Sequence, residues 1–358
     1  MFFLCLYPLT NTHHGSGCLD LFISHNQSPT NPNLARKIAM AEEAQSESNR
    51  SGATEEGESH VAEARGVYVM YQGCWLRPRA MQSVKLVQQH FKARPDDTLL
   101  ATFPKCGTTW LKALAFTVTN RLDHAATSDT HPLLTRHPQD LVPFLEMPYR
   151  QLHPIADLEK LASPRLLATH MPITLLPPCV PNLGCRVVYL FRDPKDVLVS
   201  LWQFISKVRT EYTIDRAFDS FSEGMSPYGP IWEHSLGFWK KSMAESDTVL
   251  FLRYDEMMAE PVKHVKMLAR FLRVPFTEQE VSRGVVEDVV HLCSFDKLRS
   301  IPVNSTGVTD RIGGVPMENS SYFRTGKVGD WANHLTEEMA NKLDAIVEEK
   351  LRGSGLIF

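Results

Sequence analysis

The sequence predicts an α/β fold: a single domain with a central parallel sheet flanked by helices. Two observations carry that expectation. Between residues 98 and 272, strand-like apolar runs and helical periods alternate three times, and repeated strand-then-helix units close into a parallel sheet through right-handed crossovers. The chain of 358 residues, 43% hydrophobic and 22% charged, also has the length and composition to bury a large core. In such folds ligands sit beyond the carboxyl ends of the strands.

Along the chain, Met1-Phe2-Phe3-Leu4-Cys5-Leu6-Tyr7-Pro8-Leu9 is apolar but lacks a basic flank and is too short to span a bilayer. Residues 1–65 are rich in Ser, Thr, Asn and Gly, then acidic, with few large apolar side chains, and read as a disordered tail. Met40-Ala41-Glu42-Glu43 offers a second start, so residues 1–39 read as an extension of the gene model, with a transit peptide as the alternative. The globular domain then covers 66–358.

Thr98-Leu99-Leu100-Ala101-Thr102-Phe103 reads as a buried strand, after which Leu111, Leu114, Ala115, Val118 and Leu122 recur at helical spacing. A second strand is Arg186-Val187-Val188-Tyr189-Leu190-Phe191-Arg192, rich in β-branched and aromatic residues. Asp193 and Pro194 follow as N-cap and first helical residue, and Val197, Leu201, Phe204, Ile205 and Val208 line one helical face. Thr248-Val249-Leu250-Phe251-Leu252-Arg253 is the third strand, with Val262, Val265, Leu268, Ala269 and Leu272 helical beyond it. A last helix starts at Thr336, carries Met339, Leu343, Ile346, Val347 and Leu351 inward, and stops at Gly353.

Composition excludes several functions. With 38 Lys plus Arg against 41 Asp plus Glu, the net charge of −3 provides no global field for nucleic acid or an anionic membrane. Any anion must be held by a local basic site. The seven cysteines (Cys5, Cys18, Cys74, Cys106, Cys179, Cys185 and Cys293) are scattered and include no C-x-x-C pair, so neither a disulfide framework nor a metal site is indicated. A reducing compartment, the cytoplasm, fits that usage.

Three segments carry chemistry. Phe103-Pro104-Lys105-Cys106-Gly107-Thr108-Thr109-Trp110 lies between a strand and a helix. A permissive Gly107, free N–H groups of a first helical turn, two hydroxyls and the Lys105 cation together make a phosphate cradle. It is P-loop-like but departs from G-x-x-x-x-G-K-[ST], because the Lys precedes the Gly. The bland alternative is a Thr-capped helix with a solvated Lys. In the second segment Arg192 leaves its strand at the carboxyl end and Ser200 lies two turns up the next helix, so both can hold one phosphate. The alternative there is a structural pair of Arg192 with Asp196. The third, Tyr322-Phe323-Arg324-Thr325-Gly326-Lys327-Val328-Gly329-Asp330-Trp331, closes a long aperiodic stretch from about residue 300 and reads as a flexible anion clamp or a solvated loop.

In that order and spacing, the three segments resemble the cytosolic sulfotransferase family, particularly its plant members, over about residues 65–358. The resemblance implies the sulfotransferase fold, 3'-phosphoadenosine 5'-phosphosulfate as cosubstrate, no metal, and sulfuryl transfer to a hydroxyl of a small, mainly apolar acceptor such as a flavonoid, steroid or hydroxylated hormone. It places Lys105, Cys106, Gly107, Thr108 and Thr109 around the 5'-phosphosulfate. Arg192, Ser200, Arg324, Thr325 and Gly326 take the 3'-phosphate, and Trp110, Tyr254, Cys293 and Phe295 take the adenine. His170, at the end of a short apolar run, corresponds to the catalytic base, and Lys105 to the group that stabilises the leaving oxygen. Cys106 stands where Ser is common, Thr325 where Lys is usual, and Ala168 where animal members carry a Lys. Acceptor walls are expected around Pro143-Phe144-Leu145-Glu146, Trp202-Gln203-Phe204 and Ile231-Trp232. A monomer or weak homodimer is expected, without nucleic-acid or membrane partners. The competing readings are an ATP-dependent P-loop kinase and a non-catalytic nucleotide or small-ligand binding protein.

Overall fold

The structure is a computed structural model and describes residues 67–147, 154–310 and 316–357. The tail expected over 1–65 lies outside the described residues. Four strands form the central sheet: β3 (Thr98–Thr102), β4 (Leu166–Thr169), β5 (Arg186–Phe191) and β6 (Val249–Arg253). Their spatial order is β4-β3-β5-β6 and every pairing is parallel. A small antiparallel pair, β1 (Val69–Tyr71) with β2 (Cys74–Leu76), precedes them, and a second pair, β7 (Val308–Asp310) with β8 (Pro316–Glu318), follows.

Eight helices position the site and its supports: α1 (Pro78–His90), α2 (Thr108–Asn120), α3 (Pro138–Leu141), α4 (Pro194–Ser206), α5 (Ile231–Ala244), α6 (Pro261–Phe271), α7 (Val285–Leu292) and α8 (Glu337–Leu351). Because strand side chains alternate between faces, β3 supplies Leu100 to one core cluster and Leu99 and Ala101 to the other. The first cluster joins Leu111, Leu114 and Val118 of α2 to Val265 and Leu268 of α6 and Val286 and Val289 of α7. The second contains Val84 and Val87 of α1. A third cluster binds α4 to α8 through Val197, Leu201, Leu343 and Val347. The apolar faces read from the sequence are therefore the ones turned inward, except at Leu122, which lies beyond the end of α2 and is 86% exposed.

Local chemistry sets the element ends. The Asp193 carboxylate accepts from the Lys195 N–H at 2.7 Å and the Asp196 N–H at 3.3 Å, capping α4 ahead of Pro194. Thr336 accepts from the Met339 N–H at 3.1 Å and starts α8, which is capped by Arg352 just before Gly353 at φ +74°. Two details differ from the sequence reading. After β6 the helical stretch is split, because Pro261 starts α6 following a separate short helix, Tyr254–Ala259. The stretch expected to be aperiodic from residue 300 contains a helical turn, Pro302–Ser305, and the β7–β8 pair.

A buried ion pair staples the leading ends of β3 and β4. Both side chains are fully buried; Arg165 donates through Nε to Asp97 Oδ1 at 2.8 Å and through Nη2 to Asp97 Oδ2 at 2.5 Å. The same guanidinium donates to the Leu158 carbonyl at 3.2 Å and the Lys92 carbonyl at 2.8 Å. Removing one partner strands a desolvated charge, which typically costs about 3–5 kcal/mol. Asp97→Ala is therefore expected to lower unfolding free energy by roughly that amount in urea titrations, and a loss below about 1 kcal/mol would show that the pair does not hold the strands.

Candidate functional site

The carboxyl ends of β3, β4 and β5 open onto one cavity of about 980 Å³. The β3 end continues into the phosphate cradle. Lys105 adopts φ +70° and Gly107 φ +101°, so the chain reverses in two steps before α2 begins at Thr108. Gly107 also permits a close approach, because a Cβ there would stand 3.0 Å from the Tyr254 ring. The first helical hydrogen bond runs from the Leu111 N–H to the Gly107 carbonyl, leaving the preceding N–H groups unused by the helix ladder. Such a turn binds anions through those groups and the helix dipole.

β4 ends at Thr169, and His170 follows it into the cavity wall. Its Nδ1 lies 2.8 Å from the Thr102 carbonyl oxygen. A carbonyl can only accept, so Nδ1 carries the proton and Nε2 keeps its lone pair. The His170 backbone is clamped on both sides: its N–H donates to Glu146 Oε1 at 2.7 Å, and its carbonyl accepts from His234 Nε2 at 2.9 Å. His234 is oriented in turn by the Tyr189 hydroxyl, 2.9 Å from Nδ1. Burial pushes the His170 imidazole down to about 3, offset in part by the Thr102 bond and aided by the Lys112 and His234 charges. This imidazole is neutral throughout the physiological range.

Thr102 links the imidazole to the turn after β3. Its hydroxyl lies 2.6 Å from Thr108 Oγ1 and 3.2 Å from His170 Nδ1, while its carbonyl takes the imidazole proton. Lys105 is drawn over the Phe204 ring, 3.9 Å from its centroid. Burial, followed by the charges of Lys207, Arg192 and Arg324, lowers its ammonium to about 7.

β5 delivers Arg192, buried at 7% exposure, beside Ser200 of α4. Arg192 Nη2 donates to the Lys327 carbonyl at 2.9 Å and approaches Asp196 Oδ2 at 3.3 Å. The pairing with Asp196 and a place at the cavity therefore coexist. Asp196 also accepts the N–H of Gly329 at 2.9 Å and of Trp331 at 3.0 Å, anchoring the C-terminal loop on α4. In that loop Arg324 is bonded to Asp330. The Nε atoms of Arg192 and Arg324 are buried without a hydrogen-bond partner among the described residues. Buried unpaired guanidinium N–H groups beside a cavity fit a phosphate ligand. At Gly326, φ +65°, a Cβ would stand 2.4 Å from the Phe295 ring. Trp110 and Tyr254 meet edge to face with centroids 5.4 Å apart, and the Arg192 guanidinium lies 4.6 Å from the Tyr254 centroid. Flat aromatic faces beside cations suit a purine nucleotide.

Of the site residues expected from the sequence, thirteen line this cavity: Lys105, Gly107, Thr108, Thr109, Trp110, His170, Arg192, Ser200, Tyr254, Phe295, Arg324, Thr325 and Gly326. Two thiols do not. Cys106 is fully buried in the cluster with Phe103, Val197 and Leu198, so only its backbone belongs to the cradle. Cys293 is buried in the first core cluster, its Sγ 3.5 Å from Thr117 Oγ1. Burial raises both thiols to about 12. Ala168 is also fully buried, its backbone bonded to Pro143 and Leu145. Of the expected acceptor walls, Pro143, Phe144 and Phe204 line the cavity. Trp202, Ile231 and Trp232 pack instead in or against the third core cluster. Sequence reasoning missed Thr102, Glu146, His234 and Gln139 as supports, since their roles depend on long-range neighbours. No group of three His, Cys, Asp or Glu among the described residues could hold a metal.

Residues 95–355 match the family model described as "Sulfotransferase domain". Cytosolic sulfotransferase 5 of Arabidopsis thaliana is 42% identical over 293 residues, 80% of this chain and 90% of that one. The chain belongs to the cytosolic sulfotransferase family. Cytosolic sulfotransferase 1 of Arabidopsis thaliana is 44% identical over 296 residues, covering 80% of this sulfotransferase and 88% of that one. A solved Arabidopsis thaliana sulphotransferase shares 35% identity with a TM-score of 0.65, over 81% of this chain and 88% of its own. A mouse sulfotransferase complexed with PAP, 22% identical over 81% of this chain and 95% of its own, superposes with a TM-score of 0.62 and shares the fold. No helix among the described residues of this sulfotransferase is long and apolar enough to cross a membrane.

Two outcomes follow from the site geometry. Gly326→Ala drives a methyl group into Phe295, and binding of 3'-phosphoadenosine 5'-phosphate is expected to weaken about tenfold or more, as when well-placed contacts worth over 1.4 kcal/mol are lost. Gly353→Ala, with φ +74° and open space around it, has a similar backbone cost and is the control that should leave calorimetric affinity unchanged. The second outcome concerns acid. Burial lowers His170 to about 3 and His131 and His234 to about 4. The unfolded chain, with imidazoles near 6.5, then binds more protons than the folded one below that pH. Stability contributed by these groups is present above about pH 6.5 and is lost as the pH falls towards 4, by up to about 4 kcal/mol per pH unit for three groups. Urea midpoints at pH 7 and pH 5 measure it, and equal midpoints would show that the imidazoles are not held neutral.

Proposed function

We propose that this chain transfers the sulfuryl group of 3'-phosphoadenosine 5'-phosphosulfate to a hydroxyl of a small, mainly apolar acceptor in the cytosol. The observation that carries this reading is that one cavity joins a cationic cradle, a neutral oriented imidazole and an apolar wall. Within it, Lys105, Gly107, Thr108 and Thr109 are assigned to the 5'-phosphosulfate. Arg192, Ser200, Arg324, Thr325 and Gly326 are assigned to the 3'-phosphate, and Trp110, Tyr254 and Phe295 to the adenine. Phe144, Met147, Tyr228 and Phe204 supply the acceptor side, where flavonoids, steroids and hydroxylated hormones match an apolar wall.

The donor supplies an activated sulfuryl group on its 5'-phosphate oxygen. His170 Nε2 takes the proton of the acceptor hydroxyl as the new oxygen–sulfur bond forms. Lys105 stabilises the charge that grows on the bridging oxygen as its bond to sulfur breaks, and that oxygen stays with the adenosine bisphosphate. Thr102 and Glu146 hold the imidazole in place while this happens. The Lys of a metal-nucleotide P-loop follows its glycine, whereas Lys105 precedes Gly107, which disfavours the kinase reading.

Variants and pH test these roles. With a flavonol and a steroid alcohol as probes, Lys105→Met is expected to lower turnover about 10²- to 10³-fold. His170→Ala should abolish it while calorimetric affinity for the bisphosphate persists. Because kcat/KM reports free-enzyme ionisations, it should show no acid limb near 6.5. It should fall above about pH 7, where the partly desolvated Lys105 loses its proton. Lys105→Arg keeps its charge to far higher pH and should move that fall upward. An acid limb at the ordinary imidazole value, or a wild-type profile flat to pH 9, would refute the assignments.

A further inference from the structure

Behind the cradle, three side chains form a chain of hydrogen bonds that the catalytic assignments do not use. Lys112 lies three residues beyond Thr109 on α2, so the two share a helix face. Its side chain is fully buried, with Nζ 3.5 Å from the Phe144 ring centroid. The ammonium donates to Gln139 Oε1 at 2.5 Å, and Gln139 Nε2 donates to Thr109 Oγ1 at 3.0 Å. The Gln139 backbone is pinned as well, because its N–H donates to Nδ1 of His137, the N-cap of α3. Thr109 and Gln139 line the cavity.

The direction of this chain follows from chemistry. A lysine ammonium has donors only, so the amide oxygen must face Lys112 and the amide nitrogen must face Thr109. The Thr109 oxygen therefore receives a proton from Gln139. Its own proton is left to point elsewhere, and a hydroxyl whose oxygen already accepts is polarised into a stronger donor. Without such a partner, a threonine hydroxyl on a helix can turn back to a backbone carbonyl.

We propose that Lys112 and Gln139 form a positioning relay that makes the Thr109 hydroxyl an obligate hydrogen-bond donor to the anionic phosphosulfate end of the donor substrate. The proposal rests on the reading of Thr109 as a ligand of that end. The relay brings the influence of a buried cation to the site through two neutral groups, so the charge itself never competes for the cavity. Lys112 and Gln139 act through Thr109, and the relay predicts coupling that a packing role would not produce.

The test is a double-mutant cycle on the full chain, reading calorimetric affinity for 3'-phosphoadenosine 5'-phosphate together with melting temperature. Thr109→Val is expected to weaken binding about tenfold, the scale of one lost hydrogen bond to a charged group. Gln139→Met should weaken it about threefold to tenfold. In the Thr109→Val background, Gln139→Met should add less than twofold, because the residue it acts through is gone. Should Gln139→Met fail to fold, Gln139→Glu replaces it. The carboxylate keeps the Lys112 contact but can only accept, so it turns the Thr109 proton away from the cavity. Its effect must then exceed the purely electrostatic effect it retains in the Thr109→Val background. Multiplicative effects in the cycle, or no effect of Gln139→Met, would overturn the relay while leaving the donor reading intact. An unchanged affinity in Thr109→Val would overturn the reading of Thr109 as a ligand, and the relay with it.

Discussion

The site depends first on the register of β3. This strand lies between β4 and β5 with all three parallel, so Thr102 pairs opposite Leu190 and Ala101 opposite Thr169. That arrangement places the Lys105 turn, His170 and Arg192 at one end of the sheet. A shift of one residue would exchange Leu100 with Leu99 between core faces, and packing on both sides penalises that exchange. The Asp97–Arg165 pair at the opposite end pins the β3–β4 register. The Thr102 carbonyl can therefore meet the His170 ring at 2.8 Å without flexible reach. Rigidity near the core becomes accuracy at the site.

A second theme is charge held against solvation. Lys105, Lys207, Arg192 and Arg324 raise one another's cost, visible in the lowered Lys105 ammonium. The carboxylates nearby are already engaged: Asp196 with Arg192 and two backbone N–H groups, Asp330 with Arg324. Positive charge remains in excess beside the cavity. A ligand with phosphates at two positions relieves that excess and supplies acceptors to the orphaned Nε atoms of Arg192 and Arg324. Opposite, the imidazole of His170 is kept neutral by burial. One enclosure thus lowers the proton affinity of both groups, yet with opposite consequences: it keeps the imidazole neutral and leaves the cation dependent on an anionic partner.

What the sequence disclosed tracks the range of the interaction involved. The three strands, the Asp193 cap and the apolar faces of α2, α4 and α8 were legible because alternation, helical period and capping are local rules. The strand-to-helix turn from Lys105 to Trp110 was legible for the same reason, as its residues are contiguous. Contiguity does not say which way a thiol points, and those of Cys106 and Cys293 both turn into the core. Trp202 and Trp232 were read as acceptor walls although their apolar area packs on the α4 and α5 side. Glu146, His234 and Gln139 carry no local pattern at all. Their value arises from partners 24, 64 and 30 residues away.

Asp196 shows how the end of β5 and the C-terminal loop become one device. It lies on the first turn of α4, is 1% exposed, and its carboxylate meets Arg192 from β5 and the N–H groups of Gly329 and Trp331 from the C-terminal loop. Arg192 closes the circuit by donating to the Lys327 carbonyl in that loop. The loop that carries Arg324 and Gly326 is thus tied to the strand end. A buried carboxylate is stable only when its lone pairs are filled, so loss of the loop would leave Asp196 underbonded. The same requirement that satisfies Asp196 holds the loop over the cavity. The position of this loop at the cavity therefore follows from the demand of one buried charge for hydrogen bonds.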